Sequence, residues 1–561
     1  MKSRKTWLRL VALLGALALV AAACGSSDGD DTTTTTGAPP PPGADDTTTT
    51  TVEEPMAGGS YSFYISEPPF MDPQQVQDDQ SFEIVRLLFD GLTLYSPEGG
   101  AVVPGVAESW SANADNTEYT FILRDSQFAD GSPVTAQDFI YGWSRLADPD
   151  LASRIHYHGG PGFADIIGWN DVDNGEASGA VGDALITGLA APDDKTLVVS
   201  LASSNNLLPK IVAHPGFSPV QQSVVEADPA AWAEMPIGNG PYNMSGPWNH
   251  DVNINVERSD TYWGTPGAPD AIEFRVYSTQ DAAFLDLQAG NLDVVRGVPD
   301  AQLEGARVDF GDRLIEQFVG SFTYLGLPQT FEPFQNVDIR RALLQAIDLE
   351  AINERLFLGR PTPRGFVPGV AVGAIEDGCP WCTFDPVAAK ELYDSAGGIP
   401  GNEVNLVFNS GAGHDDWVEA VANDWSTNLG LNATFQSFEW AAYLDYLFGE
   451  VPNTDPFRLG WGWDYPSGFN FLAPLYGCES SDNLVGFCSP ELDAALVEVV
   501  TAPTEEAGIP AFQDAQRIVG DLIPVIPITY KRSKVAFSDR LSNVVYTDFA
   551  FMIHENVVVT G

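Results

Sequence analysis

The stretch GWGWDYPSGFNF, Gly460 to Phe471, sets one carboxylate, Asp464, among Trp461, Trp463, Tyr465, Phe469 and Phe471. A charge in such apolar company is costly unless a cation pairs with it. The stretch holds no Lys or Arg, although Arg458 stands two residues before it. Either Arg458 turns back onto Asp464, or the cation arrives with a ligand. Two cysteine pairs could also do chemistry: Cys379 and Cys382 in C-P-W-C, and Cys478 and Cys488 around CESSDNLVGFC. Two local disulfides, Cys379–Cys382 and Cys478–Cys488, are the economical reading for an exported chain. For C-P-W-C a redox pair or half a zinc site are the alternatives. No nearby His or Cys pair completes a zinc site, and no thioredoxin-like βαβ pattern surrounds it. His156 and His158 stand in HYH without an evident third metal ligand, and read as a surface strand edge. There is no G-x-S-x-G elbow, P-loop, H-E-x-x-H or dinucleotide fingerprint, so neither an enzyme nor a cofactor is expected.

The N-terminus fixes the compartment in which such residues work. Lys2, Arg4, Lys5 and Arg9 precede an apolar run from Leu10 to about Val20, which ends in Ala21-Ala22-Ala23-Cys24. This is too short, and too rich in small residues at its end, for a spanning helix; it reads as an export signal over 1–23. Cys24 after small residues resembles a bacterial lipobox, with Ala21 where Leu is usual, and predicts a lipid anchor there. Residues 24–58, rich in Thr, Asp, Pro and Gly, predict a disordered tether that lets the folded body stand off the membrane by roughly tens of ångströms. The chain has 77 acidic against 27 basic residues, a formal net charge of −50. Nucleic acid and anionic lipid surfaces are thereby excluded as partners, since both need a basic footprint. No D-x-D-x-D-G loop points to calcium.

Helix and strand signals alternate along the rest. Thr135 caps a helix carrying Phe139, Ile140, Trp143 and Leu146 on one face. Thr279 caps a second, which buries Phe284 and Leu287 and stops at Gly290. Asp385 with Pro386 starts a third, ending at Gly397, and Leu492, Ala495, Leu496 and Val499 stripe a fourth. YTFIL, TLVVSL, VNINVE, AIEFRVY, VNLVFN and PVIPITY read as strands between them. For 561 residues this predicts an α/β protein of several domains.

Four blocks carry a family resemblance: Pro104 to Pro149, GNGPYNM with VERSDTYWG, FQNVDIRRALLQAIDLEAI, and GWGWDYPSGFNFL. In order and with few gaps, they resemble the extracellular solute-binding proteins, family 5, of peptide ABC importers. The resemblance implies two α/β lobes around a cleft, the class II periplasmic-binding-protein-like fold, with an extra third domain. Carried over, lobe I would be 59–89, 217–320 and 535–561, the extra domain 90–216 and lobe II 321–534. It implies an oligopeptide ligand, a permease with separate ATPase subunits as partner, and a monomer outside the plasma membrane or in the periplasm. Another solute in the same fold (an oligosaccharide or metal chelate) and a peptide-sensing receptor or chaperone are the alternatives.

The resemblance also assigns roles. Asp464 falls where the family holds a peptide's ammonium. Gly460 and Trp461 lie where its backbone runs beside the peptide, with Trp463 in the same motif. Arg458 and His414 match groups that meet the terminal carboxylate of peptides of different length. Trp440 matches a pocket wall, and Gln77 falls on the lobe I segment that pairs with the peptide backbone. A family lysine is replaced by Phe357, with Arg355 nearby. His414 is expected to titrate near neutrality, so that its contribution fades above about pH 6.5.

Overall fold

The computed structural model describes residues 58–96, 99–176, 185–449, 453–480 and 482–560. The predicted signal, Cys24 and the tether up to residue 57 lie outside the described residues.

Two long strands, Leu314–Gly326 and Val525–Phe537, pair antiparallel from Leu314↔Ala536 to Gly326↔Val525. At roughly 3.3 Å per residue, strands of this length reach about 40 Å, enough to serve two lobes. They sit inside one ten-stranded mixed sheet. On one side follow Val294–Arg296, Ser60–Ile65, Ala271–Val276, Asn253–Arg258 and Tyr242–Met244; on the other, Phe457–Gly462, Glu403–Asn409 and Asn432–Phe438. The two sides use different ends of the long pair. Val294–Arg296 pairs with Val535 to Phe537, whereas Phe457–Gly462 pairs with Ser321 to Gly326. Between them the register of the long pair breaks, from Phe318 to Phe322. Such a break bends a strand and re-aims its side chains. Gly320 lies in this break, and a Cβ there would stand 2.0 Å from the Trp463 ring. Only glycine lets that indole lie on the crossing.

A separate four-stranded antiparallel sheet, in the order Ala107–Ala112, Glu118–Leu123, Thr196–Ser200 and Leu189–Asp193, builds the added domain. Its helix Ala136–Ala147 starts where the sequence predicts. Asp138 Oδ2 accepts from both the Thr135 amide and its hydroxyl at 2.8 Å. Phe139, Ile140, Trp143 and Leu146 are buried, and so is Arg145, which the stripe did not include. Arg145 binds Asp72 at 2.6 Å and Gln74 at 2.6 Å. It thereby fixes the turn Pro73–Gln75, two residues before Gln77.

The other predicted helices are Gln280–Gln288, Pro386–Ser395 and Pro490–Thr501. Thr279, Asp385 and Ser489 accept from the third residue beyond them, as caps do. The six predicted strands also form strands. One local reading fails: HYH is a 3₁₀ turn, His156–Gly159, and His158 is buried rather than on a strand edge. Gly159 packs against Trp169 so closely that a Cβ would clash with the indole, which holds the turn inside the domain.

Candidate functional site

The strand Phe457–Gly462 is the floor of the site. One edge pairs with Ser321 to Gly326. On the other edge Glu403–Asn409 meets it only at Val407↔Phe457 and then diverges. The Tyr443 hydroxyl fills the fork, 3.1 Å from the Val407 carbonyl and 2.5 Å from that of Arg458. Beyond the fork, among the described residues, Leu459–Gly462 has no strand on that side. An unpaired edge is a template for an added strand.

Asp464 follows directly. Its backbone N–H donates to Asn470 Oδ1 at 2.8 Å, and Asn470 Nδ2 donates back to Asp464 Oδ2 at 3.0 Å. Trp461 Nε1 donates to the same Asn470 oxygen at 3.2 Å, so one buried amide orients both residues. Tyr95 Oη donates to the Asp464 carbonyl at 3.3 Å. Trp463 stacks on Phe549 at 5.8 Å and Tyr465 is buried. Asp464 remains 21% exposed, open on one side. Among the described residues no Lys or Arg lies within ion-pair distance; the group that approaches it is His158, with Nε2 3.7 Å from Oδ1.

The field of this carboxylate reaches its neighbours. Burial, and then the charge of Asp464, holds the Tyr95 and Tyr157 hydroxyls well above the usual tyrosine range. Asp482 is pushed up to about 6, by burial first and Asp464 second, with His158 opposing.

Arg458 does not turn back onto Asp464. Its Nη1 donates to Asn409 Oδ1 at 3.1 Å, while its Nε is buried without a partner. Burial lowers its pKa. His414 stands at the start of the helix Asp415–Leu429 and is buried. Its Nδ1 accepts from Trp417 Nε1 at 3.2 Å, which puts the ring proton on Nε2. That Nε2 is buried without a partner, a donor left open. Burial, and then the Arg458 charge, pushes this imidazole down to about 4. The expectation that His414 titrates near neutrality is therefore corrected: it is neutral at pH 7.

Trp440 opens the helix Trp440–Phe448, is 44% exposed, and lies 6.2 Å from the Tyr443 ring. Arg458, His414, Tyr443 and Trp440 thus gather at the fork, and Asp464 with Trp461 and Trp463 at the other end of the free edge. Gly460 lies on that edge. Gln77 is exposed, on the link into the helix Asp79–Leu88, and no hydrogen bond among the described residues joins it to either group. Arg355 is exposed, and Phe357 lies under the Arg360 guanidinium at 5.1 Å. Cys379 is bonded to Cys382 and Cys478 to Cys488, and no group of three metal-ligating side chains occurs among the described residues.

The sequence reading missed Asn470, Tyr95, His158 and Asp482. Asn470 carried a signal, a lone amide between Phe469 and Phe471 in the motif itself. Tyr95 and His158 come from segments distant in sequence, and nothing local marked them.

Two lobes sharing one sheet, an added domain, and an open carboxylate without a built-in Lys or Arg define a solute-binding protein. The sequence profile described as "Bacterial extracellular solute-binding proteins, family 5 Middle" matches residues 101–483, and the chain belongs to this family. It is 29% identical to the periplasmic murein peptide-binding protein MppA of Escherichia coli, over 82% of this chain and 86% of MppA. It is 28% identical to the periplasmic oligopeptide-binding protein OppA of the same organism, over 83% and 86%. It is also 28% identical to that organism's probable deoxycholate-binding periplasmic protein YgiS, over 83% and 86%. The unliganded open form of MppA superimposes with a TM-score of 0.74 at 27% identity, covering 89% of this chain and 97% of MppA. These relatives are solute-binding proteins rather than enzymes. No helix among the described residues is long and apolar enough to cross a membrane.

Proposed function

We propose that this chain binds oligopeptides in extended form and delivers them to an ABC permease whose ATPase subunits are separate. The observation that carries this is an open carboxylate, without a Lys or Arg partner, at the end of an unpaired strand edge. Asp464 takes the ligand's ammonium; the backbone of Gly460 and Trp461 pairs with the ligand as an added strand. Trp461, Trp463 and Trp440 wall the side-chain pockets and exclude water, which strengthens the ion pair. Gln77 meets the ligand from lobe I when the lobes close.

Arg458 and His414 take the terminal carboxylate, the one as a cation and the other through its neutral Nε2–H. Six residues separate Arg458 from Asp464, at most about 20 Å of extended chain. This suits ligands of three to five residues.

The chain works outside the plasma membrane or in the periplasm, as a monomer held by lipid on Cys24 after removal of 1–23. Its lobe I is 59–89, 217–320 and 535–561, its added domain 90–216, and its lobe II 321–534. A second reading, another solute in the same cleft, is supported by the likeness to the deoxycholate-binding relative. Calorimetric titration with unmodified tri- to pentapeptides and with deoxycholate tests the proposal. Heat from the peptides alone supports it; heat from deoxycholate alone refutes it in favour of the second reading.

A further inference from the structure

His158 reaches the Asp464 pocket from the added domain. Its ring stacks on Phe163 at 5.0 Å and meets Tyr157 at 4.7 Å and His214 at 5.1 Å edge-on. It is buried, and its Nε2 has no hydrogen-bond partner. Burying a polar atom unpaired is costly. The acidic oxygen facing it, Asp464 Oδ1 at 3.7 Å, is within a small movement of pairing. Asp482 is a second carboxylate that acts on His158 by charge, without a hydrogen bond to it. His214 Nδ1 already accepts from the Gly216 N–H at 3.0 Å. Lys210 is tied to Glu505 and to the Pro466 carbonyl.

We propose that His158 is a proton-carrying competitor for Asp464, so that a ligand ammonium enters the pocket in exchange for the His158 proton. This rests on the reading of Asp464 as an ammonium site. Two cations against one carboxylate repel each other, and His158 is buried where water screens it little. Binding one ammonium therefore releases one proton to solvent, and the charge of the pocket stays constant. Without ligand, protonated His158 supplies the partner that Asp464 lacks.

The titratable groups facing this pair set the controls. Asp482, at about 6, titrates at the pH of the assay and could release a proton instead. His214 is held neutral by burial and by His158, well below the usual histidine range. Burial first, and Asp464 second, keeps Tyr95, Tyr157 and Tyr465 protonated.

The test is calorimetry at pH 6 in buffers of different ionisation enthalpy, using a tripeptide with a free amino terminus and its N-acetyl form. Wild type and Asp482→Asn should release a proton on binding the free peptide only, and His158→Gln should not. Wild-type affinity should fall on acidification, by at most about tenfold per pH unit, the limit for one linked proton. Tight binding without proton release, or release that survives in His158→Gln, overturns the proposal. A ligand-free arm needs no His158 variant to fold well. The His158 ring signal should titrate at lower pH in Asp464→Asn than in wild type, and an unchanged midpoint overturns the coupling. A shifted midpoint in a protein that binds no peptide overturns the peptide reading, and the exchange with it, while the His158–Asp464 coupling stands.

Discussion

Replacing Asp464 by Asn changes a charge and little else. The amide oxygen still accepts from Asn470 Nδ2, so the Asn470 clamp on the backbone and on Trp461 survives. What is lost is the counter-charge for the ligand's ammonium. Leaving a fully buried charge unpaired costs about 3–5 kcal/mol. Asp464 is 21% exposed, so water recovers part of that. A loss of about 2–3 kcal/mol follows, or roughly 30- to 150-fold in affinity at 1.4 kcal/mol per decade. An N-acetylated peptide brings no ammonium and should lose less than about threefold. The assay is calorimetric titration of wild type and Asp464→Asn with a tripeptide and its N-acetyl form at pH 7.5. Thermal melting serves as the control for folding. Equal losses for both peptides would refute the reasoning and make Asp464 a structural residue.

Arg458→Ala should weaken tripeptides more than pentapeptides and His414→Ala the reverse, with C-terminal amidation erasing both differences; calorimetry across lengths checks this. His414 bears on stability as well, because its folded pKa of about 4 lies below the ordinary 6.5. The unfolded chain then binds a proton that the folded one refuses, so stability falls as pH drops from about 6.5 to 4, by at most about 3 kcal/mol. His414→Gln should flatten that part of a denaturant-stability profile against pH. Cys24→Ser should move the protein from the membrane fraction to the soluble one, read by fractionation. Non-reducing peptide mapping should recover Cys379 with Cys382 and Cys478 with Cys488, and reducing either short loop should cost less than about 3 kcal/mol.

Much of the fold was legible because it is written locally. Thr135 with Asp138, Thr279, and Asp385 with Pro386 are start signals, and the chain obeys them. The apolar runs became strands of the two sheets. Asp464 was legible for the same reason, since its cost is visible from its sequence neighbours. The rest of the site depends on contacts across long separations. HYH was read as a surface strand edge because no third metal ligand was evident, yet Phe163, Tyr157 and His214 enclose His158. His414 was assigned an ordinary imidazole pKa, and only its burial beside Arg458 removes that. Whether Arg458 would fold back on Asp464 could not be read from a two-way choice; Asn409, on a neighbouring strand, decided it.

The central claim is that the open Asp464 pocket holds the amino terminus of an extended peptide. Native mass spectrometry of the gently purified protein, followed by fragmentation of whatever it releases, tests this most directly. The account predicts adducts that sequence as peptides of three to five residues with free amino termini, and their loss from Asp464→Asn. Adducts that fragment as a sterol, a sugar or a chelate, or peptides retained undiminished by Asp464→Asn, would contradict it.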